Sequence, residues 1–242
     1  MNHEHKTEAV VLSTMDVFDA DRLYLLFTRE LGKIRARAKG VRRPTSRLTG
    51  HLLSFLPTDI SVVRQGDFFL IIQAHMLPDA AYPADALYFL QHAEQVAEAV
   101  DKLVVDQEQH IELYEGLAYT LERLRDTHAP ELVTAEFLLK AVITLGYHPE
   151  LNHSVIGEGE LNPESLGWSS DIGGVFTIPP SGLPVGSRRI ISPKSIVALR
   201  QLTKPEFMGE RLGMTEAVQQ EVVSLIQDYV QTIIGKPLKS IP

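Results

Sequence analysis

Leu31-Gly32-Lys33-Ile34-Arg35-Ala36-Arg37-Ala38-Lys39-Gly40 is the stretch that decides the architecture. Cations at Lys33, Arg35, Arg37 and Lys39 alternate with Ile34, Ala36 and Ala38, and a period of two is the signature of a strand. One strand face would turn the apolar side chains inward, and the other would carry all four cations outward. Upstream lie the apolar runs Ala9-Val10-Val11-Leu12 and Leu23 to Thr28, separated by an acidic segment from Asp16 to Asp21. Downstream, Ile60 to Val63 and Phe68 to Ile72 are β-prone and joined by the turn signal Arg64-Gln65-Gly66-Asp67.

Five short strands in about 70 residues suggest a small closed barrel, and the oligonucleotide-binding (OB) fold is the natural candidate for residues 1–80. The composition changes at Pro78 and Pro83. Residues 81–242 then read as helical: Leu87, Leu90, Ala93, Ala97, Val100 and Val104 recur at helical spacing, with Asp85 or a neighbour as the cap. Ile111, Tyr114, Leu117, Leu121 and Leu124 form a second apolar stripe. A third helix runs from Pro130 to a stop at Gly146. Residues 147–191 hold five prolines and seven glycines and read as a loop-rich insert with one hairpin around Trp168 to Thr177. Helices resume at Ser192-Pro193, and a last one starts near Thr215 and stops at Gly235. The fold class expected is therefore α+β, a five-stranded barrel followed by a helical domain with an irregular insert.

The net charge of −8 argues against a polyanion partner until its distribution is read. Arg29, Lys33, Arg35, Arg37, Lys39, Arg42, Arg43 and Arg47 face a single acid, Glu30, within residues 29–47, a local surplus of seven positive charges. A basic patch on an acidic body suits phosphate binding at one place and repulsion elsewhere. Same-face cations about 6.6 Å apart along a strand would follow the phosphates of an extended single strand, driven by counterion release. A solvated strand face with no ligand is the plain alternative. Tyr24, Phe27, Phe55, Phe68 and Phe69 are the aromatic residues considered for base stacking; most must be core, and of the adjacent Phe68 and Phe69 one would be exposed.

Cysteine is absent, which excludes disulfides, thiolate metal sites and a cysteine nucleophile. His3, His5, His148 and His153 lack the spacing of a metal site. Asp16, Asp19 and Asp21 lack the continuation of a calcium loop and read as turn and barrel-rim charges. No phosphate-binding glycine loop, nucleophile elbow or paired-histidine zinc motif occurs. The expectation is a protein that is not an enzyme and takes no cofactor. No run approaches a membrane span, and the polar start Met1-Asn2-His3-Glu4-His5 carries no apolar signal region, so a cytoplasmic, nucleoid-associated location is expected.

The amino-terminal region resembles the RecO family of bacterial recombination mediators and DNA repair proteins. The likeness rests on Ala9-Val10-Val11-Leu12-Ser13, Asp19-Ala20-Asp21-Arg22-Leu23, Leu26-Phe27-Thr28-Arg29-Glu30-Leu31-Gly32-Lys33 and Ala38-Lys39-Gly40-Val41-Arg42-Arg43. Ser46-Arg47-Leu48 and Leu53-Ser54-Phe55 follow in order. The resemblance implies an OB barrel and a helical domain, often with a four-cysteine zinc site in the insert. Here Ser154, Gly157, Thr177 and Pro180 stand at the cysteine positions, so a degenerate, zinc-finger-like insert without metal is expected, packed by Trp168, Phe176 and Ile178. It also implies binding of single- and double-stranded DNA, annealing of complementary strands, and action with RecR, sometimes RecF, to load RecA recombinase onto strands coated by single-stranded DNA-binding protein (SSB). Binding of the acidic, apolar SSB tail would need a groove beside a cation, for which Lys140, Arg123 and Arg125 are the candidates. Two other readings of the basic strand are open at this level: an RNA-binding OB protein, and a scaffold that docks an acidic protein.

Overall fold

The computed structural model describes residues 3–157, 160–183, 188–204 and 208–238. Five strands, β1 (Glu4–Val17), β2 (Asp21–Thr28), β3 (Gly32–Ala38), β4 (Pro57–Gln65) and β5 (Phe68–Met76), close a barrel in the order β1-β2-β3-β5-β4. All neighbours are antiparallel except β3 and β5, where Ala36 lies beside Phe69 and Arg37 beside Leu70 in parallel register. This is the five-stranded OB-type barrel that the alternation predicts.

β1 serves two neighbours. Its first half pairs with β4 and its second with β2, and the register shifts between Val11 and Ser13, leaving Leu12 as a bulge. A bulge bends and twists its strand, which is what a long strand needs to turn a barrel corner. Inside, Val11, Tyr24, Leu26, Ile34, Ala36, Ala38, Val62, Phe69 and Ile71 form one buried cluster. Val41 and Leu52, from the long segment between β3 and β4, complete that cluster.

Two helices, α1 (Ala86–Leu103) and α2 (Ile111–Arg123), fold with the barrel into one compact unit that extends to Thr127. The Asp85 side chain accepts the Tyr88 N–H and caps α1. The Phe27 and Tyr114 rings meet at 6.0 Å, and the Tyr82 hydroxyl donates to the Ser54 carbonyl at 2.9 Å. The second unit, His128–Leu238, holds α3 (Pro130–Thr144), a sheet of β6 (Leu166–Ser169), β7 (Gly174–Thr177) and β8 (Arg188–Ile190), and helices α4 (Pro193–Leu202) and α5 (Glu216–Ile234). The expected hairpin is thus β6–β7, and β8 adds a third strand on the other side of β6. Trp168 and Phe176 are buried in this sheet, whereas Ile178 is only half-buried.

The segment after α1 returns to the barrel. Asp106 bridges Lys33 in parallel, and the Gln107 N–H donates to the Lys33 carbonyl at 2.8 Å, giving the first half of β3 an edge partner that β5 does not supply. Gly32 makes the approach possible. Its φ is +67°, and a Cβ there would lie 2.0 Å from the Glu108 carbonyl oxygen. Gly32→Ala combines left-handed backbone strain with overpacking, so a loss on the order of 3 kcal/mol is expected. Denaturant unfolding measures it, and a loss below about 1 kcal/mol would mean that the 104–108 segment moves aside freely.

Candidate nucleic-acid interface

The eight cations expected to form the basic patch, four of them in one outward row on β3, divide into two groups. Lys33 does not face solvent: it is 6% exposed, and its Nζ donates to the Asp101 carbonyl at 2.6 Å and lies 3.2 Å from Asp106 Oδ1. This corrects the simple alternation, because the strand face that the period assigns to water is covered at its first residue. The Asp101 carbonyl belongs to the last turn of α1, so Lys33 acts there as a cationic cap at a helix C-terminus. Arg29 is also engaged, donating from Nη2 to Glu115 Oε1 at 2.7 Å.

The turn between β1 and β2 accounts for two more. Asp21 accepts from Arg37 Nε at 2.8 Å and, through its other oxygen, from the Gly40 N–H at 2.7 Å. Asp16 accepts from Arg22 Nε at 2.7 Å and lies 3.4 Å from Arg42 Nε. The Arg42 N–H donates to the Ala20 carbonyl at 3.0 Å. The acids read as rim charges therefore tie the β1–β2 turn to the turn after β3. Both carboxyls are held below the usual carboxylate range, Asp21 first by the Gly40 N–H and then by Arg37, and Asp16 by Arg22. Three arginines against two carboxylates leave this cluster one positive charge in surplus.

The remaining cations are open. Lys39, Arg43 and Arg47 are exposed on the segment after β3 and carry no ion pair among the described residues. The Arg35 side chain is 59% exposed, with Asp106 no nearer than 3.9 Å. An exposed pair at that separation is worth little against water. Arg35, Lys39, Arg43 and Arg47 are thus the most open cations of the patch, with Arg35 facing Asp106 at 3.9 Å and Lys39 within electrostatic reach of Asp21.

The aromatic residues of the barrel divide between core and surface. Tyr24, Phe27 and Phe69 are buried, Phe55 is half-buried, and Phe68 is 47% exposed, so of the adjacent pair it is Phe68 that faces water. Sequence reading overlooked Phe18. It stands 75% exposed at the tip of the β1–β2 turn with the Arg37 guanidinium 4.6 Å from its ring centroid. The available signal was a phenylalanine inside an otherwise acidic turn, a place where the core makes no use of it. Arg64, in the turn signal between β4 and β5, is exposed and lies 5.8 Å from the Phe69 ring centroid.

The positions aligned with zinc ligands offer no thiolate or imidazole. The Ser154 hydroxyl donates to the Ile156 carbonyl at 2.6 Å and accepts the Thr177 N–H at 3.3 Å, while Thr177 Oγ1 accepts the Asn162 N–H at 2.9 Å. Gly157 has no side chain and Pro180 is exposed. These residues do not fit zinc. No cluster of three or more potential ligands occurs among the described residues.

Family models for recombination protein O cover the chain, the N-terminal one at residues 1–77 and the C-terminal one at 86–242. The chain belongs to the RecO family of DNA repair proteins. It is similar to the DNA repair protein RecO of Cutibacterium acnes, 32% identical over 98% of this chain and 97% of that one. It is 28% identical to the RecO of Bifidobacterium adolescentis over the same shares. The RecO of Bacillus subtilis matches at 29% over 62% of this chain and 59% of its own length. No helix of this RecO-family chain is long and apolar enough to cross a membrane among the described residues.

The clamp at Asp21 has a pH signature. A carboxyl whose folded pKa is depressed contributes stability that is fully present above its unfolded pKa and is lost as pH falls through the folded value. Asp21→Ala should therefore lower the melting temperature at neutral pH, with the gap to the parent closing once pH drops below the ordinary aspartate range. Thermal melts across a pH series test this; a gap that stays constant into acid would assign the effect to packing instead.

Proposed function

We propose that this RecO-family protein is a non-enzymatic recombination mediator whose barrel grips DNA through Arg35, Lys39, Arg43 and Arg47. In this arrangement Arg37 and Arg42 contribute through the surplus charge of their cluster, and Lys33 and Arg29 act in folding. The observation that carries the proposal is that Lys39, Arg43 and Arg47 stand exposed and unpaired on one segment of a RecO-family barrel. The strand 2–3 face of an OB barrel and the loops at its rim are where such folds take oligonucleotides. Counterion release from phosphate supplies the affinity. The acidic remainder of the chain, screened beyond about 8 Å at physiological salt, limits wrapping to the patch.

Annealing follows from the same chemistry. Base pairing supplies the free energy, and the protein lowers phosphate repulsion while it holds two strands together, so no nucleotide hydrolysis is needed. Family membership supports action with RecR, and in some settings RecF, to place RecA on strands coated by SSB. Of the cations considered for the SSB tail, Lys140 is paired to Glu136 at 2.8 Å and Arg123 lies 5.6 Å from the Tyr119 ring centroid. Arg125 borders an apolar cleft of about 390 Å³, but Glu8, Asp79 and Glu122 line it too. That cleft is a poor seat for an acidic tail.

Four phosphate contacts at about 0.7 each predict a slope of roughly −3 in log Kobs against log salt for a single strand. Reversing Arg43 and Arg47 to glutamate should weaken binding at low salt and flatten the slope by about 1.4. The same double variant should fail to anneal complementary strands precoated with SSB. A folded double variant with parental affinity, slope and annealing would remove this assignment.

A further inference from the structure

Phosphate binding does not account for two large aromatic side chains left in water on the basic side of the barrel. Phe18 is 75% exposed and adopts φ +55°, a left-handed backbone that a non-glycine residue holds only at a cost. No burial offsets that cost. Its ring lies against the Arg37 guanidinium, which Asp21 holds by a hydrogen bond at 2.8 Å, while the same Asp21 holds the Gly40 N–H. The turn is therefore built to present this ring.

Phe68 is placed in the same way. Ala36 pairs with Phe69 and Arg37 with Leu70, so Phe68 lies at the start of β5 on the strand that borders β3. Phe69 points into the core, hence Phe68 points outward with Arg35. On β2, Leu23 and Leu25 lie opposite Arg37 and Arg35 and are half-buried. The outer face of β2-β3-β5 thus carries Arg35, Arg37 and Phe68, with Phe18 stacked on Arg37 and the two arginines about 6.6 Å apart along β3.

We propose that Phe18 and Phe68 are stacking platforms for unpaired bases, so that this face selects single strands over duplex. The proposal rests on DNA binding at the patch and names which form of DNA the site takes. An exposed ring beside a guanidinium suits a ligand that is both planar and anionic, and a nucleotide is both. In a duplex each base face is covered by its stacked neighbours, so a platform gains nothing there. Exposed Lys39 and Arg43 lie just past the end of β3 to hold the adjoining backbone.

The experiment uses the full chain and three ligands of equal phosphate number: an oligothymidylate of about 20 nucleotides, an abasic strand and a duplex. Stacking is worth a factor of roughly 5 to 150 in affinity per base. Phe18→Ala and Phe68→Ala should each weaken oligothymidylate binding within that range. They should leave the abasic strand and the duplex unchanged and keep the salt slope. Phe18→Tyr and Phe68→Tyr should restore binding, which separates a lost platform from a lost fold. The proposal is overturned if the alanine variants bind oligothymidylate as the parent does, as a face reserved for a protein partner would require. It is equally overturned if all three ligands weaken together. In either case, continued loss of binding in the Arg43→Glu/Arg47→Glu protein would show that the DNA grip stands while the stacking role falls.

Discussion

Four like charges, Lys33, Arg35 and Arg37 on β3 and Lys39 just past its end, are the constraint around which this barrel is built. Neighbouring cations about 6.6 Å apart repel by roughly 0.6 kcal/mol in water, but by about 2.5 kcal/mol at the effective dielectric of a partly buried site. The magnitudes explain the observed division. Lys33, which the 104–108 segment covers, is surrounded by the Asp101 carbonyl and the Asp101 and Asp106 carboxylates. Arg37, half-covered, has Asp21. Arg35 and Lys39 stay in water, where repulsion is small, and need no close acid. Carboxylates sit where burial makes a bare cation costly, and the exposed cations remain hydrated.

The same neutralisation positions the site. Asp21 and Asp16 join the turn between β1 and β2 to the turn after β3, so the loop that carries Phe18 and the segment that carries Lys39, Arg42 and Arg43 are set by one group of hydrogen bonds. Long surface loops are ordinarily the least determined parts of a fold. Here the rim is fixed by charge pairing and the wall behind it by the Leu12 bulge, which lets one strand reach both of its neighbours. Ala36 and Ala38 contribute by being small: fully buried, they let β3 lie close to the ring of Phe69 and the opposite wall.

The irregular insert of the second unit is held by backbone bonding and aromatic packing. Backbone bonds run from Glu150 and Val155 to Gly173 and Val175 along the outer edge of β7, and Ser154 meets Thr177 at the head of that strand. Beneath lies a packed centre. Trp168 donates to Ser170 Oγ at 2.9 Å and meets the Tyr229 ring edge-on, and Phe176 lies so close to Gly167 that a Cβ there would fall 2.4 Å from its ring. Aromatic burial of this kind supplies directional packing as well as apolar area.

Much of this was legible in the residues alone. Alternation of Ile34, Ala36 and Ala38 with cations determined a strand with one inward face, and the runs on either side determined five strands and closure, because side-chain period reports local geometry. Asp85, Ser192-Pro193 and Gly235 marked helix ends for the same local reason. What only the tertiary structure decided is which charges are free. Lys33 and Lys39 look alike in sequence, yet one is buried under residues 101–108 and the other is open, a difference made by atoms about 70 positions away. Phe18 was invisible for a related reason. Whether an aromatic ring is core or platform depends on what covers it, and that is settled by distant chain rather than by its neighbours in sequence.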